Sequence, residues 1–251
     1  MNPPIIQLSG VSKSFTVPVR RDATILSRMI GAVRRGTGTA QVRSITALRD
    51  IDFSVERGEV IGIIGRNAAG KSTLLRVIAG IIVPEAGKVR VHARVTSLMN
   101  LSVGLHDRLT VRDNIFLGCS LLGMRHAEIK IAFDSIVEFA GIGEFVEMYP
   151  YQLSLGMNQR MAFAIAVSCH PEILLLDEVF SAGDAAFVAK SEKRMAEIIR
   201  GNVTVVMASH DLDRVSHLCD RVLWLDHGAL VMQGNPVEVI SAYRKQTIPQ
   251  Q

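Results

Sequence analysis

Apolar positions recur along this chain in two rhythms, and their succession predicts an α/β protein. Runs of strand length, alternating or continuously apolar, occur at Ile5–Ser9, Ile51–Val55, Val60–Ile64, Lys88–Val91 and Arg94–Leu98. They return at Ile173–Asp177, Val203–Ser209, Arg221–Asp226 and Ala229–Gln233, the last two joined by an Asp226-His227-Gly228 turn. Runs such as Ile173-Leu-Leu-Leu176 have no polar face, as expected of a parallel strand covered on both sides. Between the two groups the period becomes helical, with segments at Val111–Leu122, Ala127–Ala140 and Gly156–Cys169. A closing helix is predicted over Pro236–Gln246. The order implies one domain over residues 1–251: an α/β core with a mixed sheet at about 1–98 and 171–235, a helical subdomain inserted at about 99–170, and a C-terminal helix at about 236–247.

Chemistry enters where the strand Val60–Ile64 runs into Gly65-Arg66-Asn67-Ala68-Ala69-Gly70-Lys71-Ser72-Thr73. This is a complete G-x-x-x-x-G-K-[ST] phosphate loop, and the helical run from Leu74 follows it directly. Strand, glycine loop and helix together aim backbone N–H groups at a polyphosphate. Lys71 is placed to reach the β and γ phosphates, and the Ser72 hydroxyl to ligate Mg²⁺. The chain is therefore expected to be a P-loop NTPase that takes a nucleoside triphosphate.

Two further strands end in reactive side chains. Ile173–Leu176 ends in Asp177-Glu178, and Val203–Ala208 ends in Ser209-His210-Asp211. Ligands bind beyond the carboxyl ends of parallel strands, so these residues face the loop's site. Asp177 suits the metal shell, Glu178 suits polarising the attacking water, and His210 suits contact with the γ phosphate. A second helix start, at Leu153-Ser154-Leu155-Gly156-Met157, makes another anion-binding end. One triphosphate does not need both ends, unless the second serves a partner's nucleotide.

Composition narrows the setting. Hydrophobic residues make up 48% of the chain and the mean hydropathy is +0.26, yet no apolar run approaches the ~20 residues that span a bilayer. Met1-Asn2-Pro3-Pro4 does not read as a signal peptide. Cys119, Cys169 and Cys219 are odd in number and far apart, which suits a reducing compartment. The net charge of +4 is too small to argue for nucleic acid. It is also local: Arg20, Arg21, Arg28, Arg34, Arg35 and Arg43 face the single acid Asp22 in a basic insertion at about 17–47. Within it, Ile25, Leu26, Met29, Ile30 and Val33 share one arc of a helical wheel with Arg28 and Arg35 opposite, and this reads either as a plain surface helix or as one beside a membrane.

Taken together, these residues resemble the ATP-binding cassette family. The phosphate loop is similar to its Walker A motif, Ile173–Glu178 to its Walker B strand, and Ser154, Gly156 and Met157 to its signature. Asp184 in Ser181-Ala-Gly-Asp184 resembles the D-loop, His210 the H-loop histidine, and Phe15 the aromatic that stacks on adenine. The resemblance implies ATP and Mg²⁺ as cofactors, and a head-to-tail homodimer in which each ATP lies between one copy's Walker A and the other's signature. Met157, the Asp177–Phe187 stretch, and Ser102-Val-Gly-Leu-His106 before Leu109-Thr-Val-Arg-Asp-Asn-Ile look like the polysaccharide-exporter branch. That branch moves lipid-linked O-antigen, capsule or teichoic acid chains through a separate integral membrane permease. The ATPase then sits peripherally on the cytoplasmic face of the inner membrane, with no nucleic acid partner.

Three positions depart from the family pattern. Ala68 stands where glycine is common, and strains the loop if its φ is positive. No glutamine occurs between Gln41 and Gln152, so the usual Q-loop residue is missing, and Asn100, close to where it would be, could offer a shorter amide to the metal. Val179 replaces the proline that often follows the acid pair. Two other readings stay open: a soluble cassette ATPase acting on nucleic acid or ribosomes, and an ATP-gated interaction protein without turnover.

Overall fold

The computed structural model describes residues 3–18, 42–98, 105–177 and 185–247. The reading of an amphipathic helix at 25–35, and those of Asn100, Glu178 and Asp184, lie outside these residues. Two sheets and a helical cluster make up the rest.

The larger sheet has six strands in the order β5-β6-β7-β3-β8-β9: β3 Val60–Ile64, β5 Val95–Ser97, β6 Ile173–Asp177, β7 Thr204–Ala208, β8 Arg221–Asp226 and β9 Ala229–Gly234. Its pairings are parallel except for the β8–β9 hairpin. The period of two sorts each strand's side chains between two cores. Ile61, Ile63, Leu175, Val206 and Leu223 face one, while Ile64, Leu174, Leu176, Val205 and Trp224 face the other. The lack of polar residues in these strands thus follows from cover on both faces.

The first core lies between this sheet and a three-stranded antiparallel sheet, order β2-β1-β4, formed by β1 Ile6–Pro18, β2 Val42–Val55 and β4 Ala86–Val91. Helix α1, Lys71–Ile78, is sandwiched there through Leu74, Leu75, Val77 and Ile78. The strands β1 and β2 are much longer than the runs Ile5–Ser9 and Ile51–Val55 suggested. They pair as far as Pro18 with Val42, so strand occupies part of the stretch read as a basic insertion at 17–47. Irregular register near Val11 and Lys13 interrupts the alternation that would have marked the full length.

A third core is built within residues 105–169 by α2 Val111–Leu121, α3 His126–Ala140 and α4 Leu155–Ser168. Thr110 caps α2 through the Asp113 amide, and Gly141 ends α3 in the left-handed conformation. Buried Asn114 accepts from the His106 amide at 2.6 Å and donates to the carbonyls of His106, Leu109 and Thr110, which fixes the approach to α2. Helices α5 Ala185–Arg200, α6 Leu212–Leu218 and α7 Pro236–Thr247 complete the chain. Phe139, Phe163 and Phe187 meet at centroid distances of 5.8–6.1 Å and join α3 and α4 to α5. Among the described residues no helix is long and apolar enough to cross a membrane.

Candidate functional site

Sheet register assembles the site. Ile63 of β3 pairs with Ala208 of β7, and Ala208 pairs with Asp177 of β6. One row of the sheet therefore sets side by side the strand entering the phosphate loop, the strand ending in Asp177, and the strand leading to Ser209-His210. All three approach from the same side because the strands are parallel. Asp177 is half-buried at its strand end.

The loop is shaped by what cannot fit beside it. A Cβ on Gly65 would lie 2.2 Å from the Leu225 carbonyl oxygen, and one on Gly70 would lie 2.4 Å from that of Ala47. Both glycines also have positive φ, 151° and 106°. Ala68 is left-handed as well, at φ 63°, and it carries the side chain that such a backbone disfavours. Arg66, Asn67 and Ala68 are exposed at the crest, whereas Ala69 is buried beneath it.

Lys71 is only 6% exposed, and its ammonium is held by the site itself. Nζ donates to the carbonyls of Gly65 at 2.8 Å and Arg66 at 3.2 Å, and lies 3.3 Å from Nε2 of His210. The lysine and the histidine, read from separate strands, are thus neighbours. Beyond them, Asp211 accepts from the Arg214 amide and caps α6, and the Ser209 hydroxyl accepts from the Asp211 amide.

A cleft of about 390 Å³ opens over the loop, lined by Asn67 to Thr73 on one side and by Phe15, Ile45, Thr46 and Ala47 on the other. Phe15 and Ile45 are cross-strand partners on β1 and β2, and Phe15 is 38% exposed. The long ribbon thus brings an exposed aromatic ring to the mouth of the phosphate loop. Sequence reasoning found Phe15 but missed Ile45, Thr46 and Ala47, whose place depends on that pairing.

Ser154 caps α4 by accepting from the Met157 amide at 3.2 Å. Ser154 and its neighbour Leu155 are exposed, and Ser154, Gly156 and Met157 do not line the cleft. This helix start is therefore presented outward rather than toward the chain's own phosphate loop.

The profile of the family described as ABC transporter matches residues 48–181. The chain is also 35% identical, over 96% of its length and 98% of the relative's, to the O-antigen export system ATP-binding protein RfbB of Klebsiella pneumoniae. The chain belongs to the ABC transporter family. It is an ATPase subunit of that family, and its domain binds ATP. A teichoic acids export ATP-binding protein, TagH of Shouchella clausii, is 38% identical over 97% of this chain and 66% of that protein. Among solved structures, a post-hydrolysis ATP-binding cassette dimer bound to ADP and Pi shares the fold, with a TM-score of 0.71 at 22% identity over 92% of this chain and 98% of the other.

Proposed function

We propose that this ATPase energises export of a lipid-linked cell-surface polysaccharide, of the O-antigen, capsule or teichoic acid kind, through a separate integral membrane permease. The working unit is a head-to-tail homodimer on the cytoplasmic face of the inner membrane. The observation that carries the dimer is the outward start of α4: Ser154 and Gly156 offer an anion-binding end that the chain's own cleft does not use. It suits the γ phosphate held by a second copy. The RfbB and TagH likenesses, each covering nearly all of this chain, support the polysaccharide class.

Within one copy, Gly65 to Thr73 cradle the phosphates, Phe15 stacks on adenine, and Lys71 turns from the Gly65 and Arg66 carbonyls to the β and γ phosphates. Among the described residues no three His, Cys, Asp or Glu side chains form a closed metal site. A hydroxyl from Ser72 and a carboxylate from Asp177 suit Mg²⁺, which takes few protein ligands and fills its shell with phosphate and water. Asn100 is proposed as a further ligand, in place of a glutamine. When bound, the ion neutralises charge on the β and γ oxygens. Glu178 polarises the attacking water, His210 holds the γ phosphate, and Asp184 meets the partner copy.

The test is co-expression with a candidate integral membrane permease. Membrane recovery that requires the permease, together with steady-state phosphate release and loss of surface polymer on gene deletion, supports the reading. Recovery with ribosomes or nucleic acid overturns it in favour of a soluble cassette ATPase. ATP binding without phosphate release favours a nucleotide-gated interaction protein.

A further inference from the structure

The carbonyl of Ala47 lies close to two glycines that are far apart in sequence. One is Gly70 of the phosphate loop, where a Cβ would lie 2.4 Å from the Ala47 oxygen. The other is Gly228 of the β8–β9 turn, where a Cβ would lie 2.8 Å from the same oxygen and 3.0 Å from its carbon. Contacts this short do not occur for real side chains, so β2 can approach only because both positions lack one.

The turn also bonds to both neighbours. The Gly228 amide donates to the Ala69 carbonyl in the phosphate loop at 3.0 Å, and the Gly228 carbonyl accepts from the Arg49 amide on β2 at 2.7 Å. One residue therefore ties the phosphate loop to the strand that carries Ile45, Thr46 and Ala47 into the cleft. That strand pairs with β1 at Phe15.

We propose that Gly228 is a positioning residue of the nucleotide site, setting the span between the phosphate loop and the β1–β2 ribbon that receives the base. The inference rests on the reading that Phe15 stacks on adenine and the loop holds the phosphates. A side chain at 228 pushes on Ala47 and Leu48, both on β2. It leaves the amide bond to Ala69 available, so the ribbon moves and the loop stays. Ligands needing both halves lose affinity, and ligands needing only the loop do not. Binding energy from a remote group depends on its being held at the correct distance.

The experiment compares ATP with inorganic tripolyphosphate on the full chain by titration calorimetry. It uses wild type, Phe15→Ala, Gly228→Ala and Gly228→Asn. Asparagine tolerates the left-handed backbone at Gly228, where φ is 79°, yet brings the same Cβ, so it keeps the test valid if the alanine variant folds poorly. Both Gly228 variants are expected to bind ATP about tenfold more weakly and tripolyphosphate within about twofold of wild type. Equal loss of both ligands in the folded asparagine variant overturns the inference, because a general disturbance of the loop predicts that result. An ATP advantage lost in Phe15→Ala but kept in both Gly228 variants overturns the inference alone. An advantage that survives Phe15→Ala overturns the stacking reading and the inference with it.

Discussion

Lys71 Nζ and His210 Nε2 lie 3.3 Å apart, so the basic side chain of the phosphate loop and the histidine after β7 share one space beside the loop. In the proposed site their roles differ although they touch. The ammonium would serve as a point charge for phosphate, and the imidazole would hold the reacting group. Lys71→Ala is expected to weaken ATP binding by about tenfold or more, since a charge-assisted contact is lost. His210→Ala is expected to keep most of the affinity and to lower turnover by about a hundredfold or more. Nucleotide titration and steady-state phosphate release separate the two. Equal loss of affinity in both variants would assign His210 to binding rather than turnover.

Ala68 gives the loop a strain that a single substitution removes. A left-handed alanine costs about 1–2 kcal/mol, and the added freedom of an unfolded glycine returns roughly 0.5–1 of that. Ala68→Gly should therefore stabilise the chain by about 0.5–1 kcal/mol, and raise the melting temperature by about 1–3 °C at this size. Position 68 is exposed, so no packing is lost. A melting temperature that stays level or falls in calorimetry would mean that the loop accommodates the methyl group without strain.

What could be read from the sequence followed from how local each cause is. The phosphate loop is contiguous, so its pattern is complete within nine residues, although the atoms that demand Gly65 and Gly70 are carbonyls of the distant strands β8 and β2. The strands β3, β6 and β7 were legible because cover on both faces removes polar residues from them. The outer halves of β1 and β2 were not. From Ser12 to Val17 and from Arg43 to Thr46 the side chains are mostly exposed, so no apolar alternation marks them as strand. Their pairing across the basic segment, and with it the place of Ile45 to Ala47, is a non-local fact. The left-handed backbone of Ala68 was open for the same reason: its residue type permits several conformations, and the loop's closure selects one.

The outward start of α4 predicts that binding and dimer closure can be separated. Ser154→Arg places a bulky cation where the partner's γ phosphate would approach, and it removes a helix cap worth about 1 kcal/mol. ATP binding to the single copy should persist, while ATP-dependent dimer formation and turnover are lost. Glu178→Gln should also lose turnover but keep dimer formation, because an amide cannot polarise water and the phosphate contacts remain. It is expected to accumulate an ATP-bound dimer. Size-exclusion chromatography with and without ATP reads both outcomes, and a Ser154→Arg variant with normal hydrolysis would refute the shared site.

The thiol of Cys219 gives the chain a predictable weakness to alkali. Burial is the larger cause, with the neighbouring Asp220 charge adding to it, and together they push this thiol up to about 12. In the unfolded chain a thiol ionises near its ordinary value, roughly 8.5. The folded-state value is the raised one, so the stabilisation is complete below the unfolded value and is lost as pH rises toward the folded one. Between about pH 8.5 and 12 the unfolded state releases a proton that the folded state keeps, and this site alone removes up to about 1.4 kcal/mol per pH unit. Cys219→Ala should lower stability somewhat at neutral pH, because Cys219 packs in the core that includes Val215 and Val222. The telling quantity is the slope. Urea unfolding from pH 8 to pH 10.5 should show the variant losing stability less steeply than wild type by about that amount, and parallel slopes would mean that the thiol ionises as readily in the folded protein as in the unfolded one.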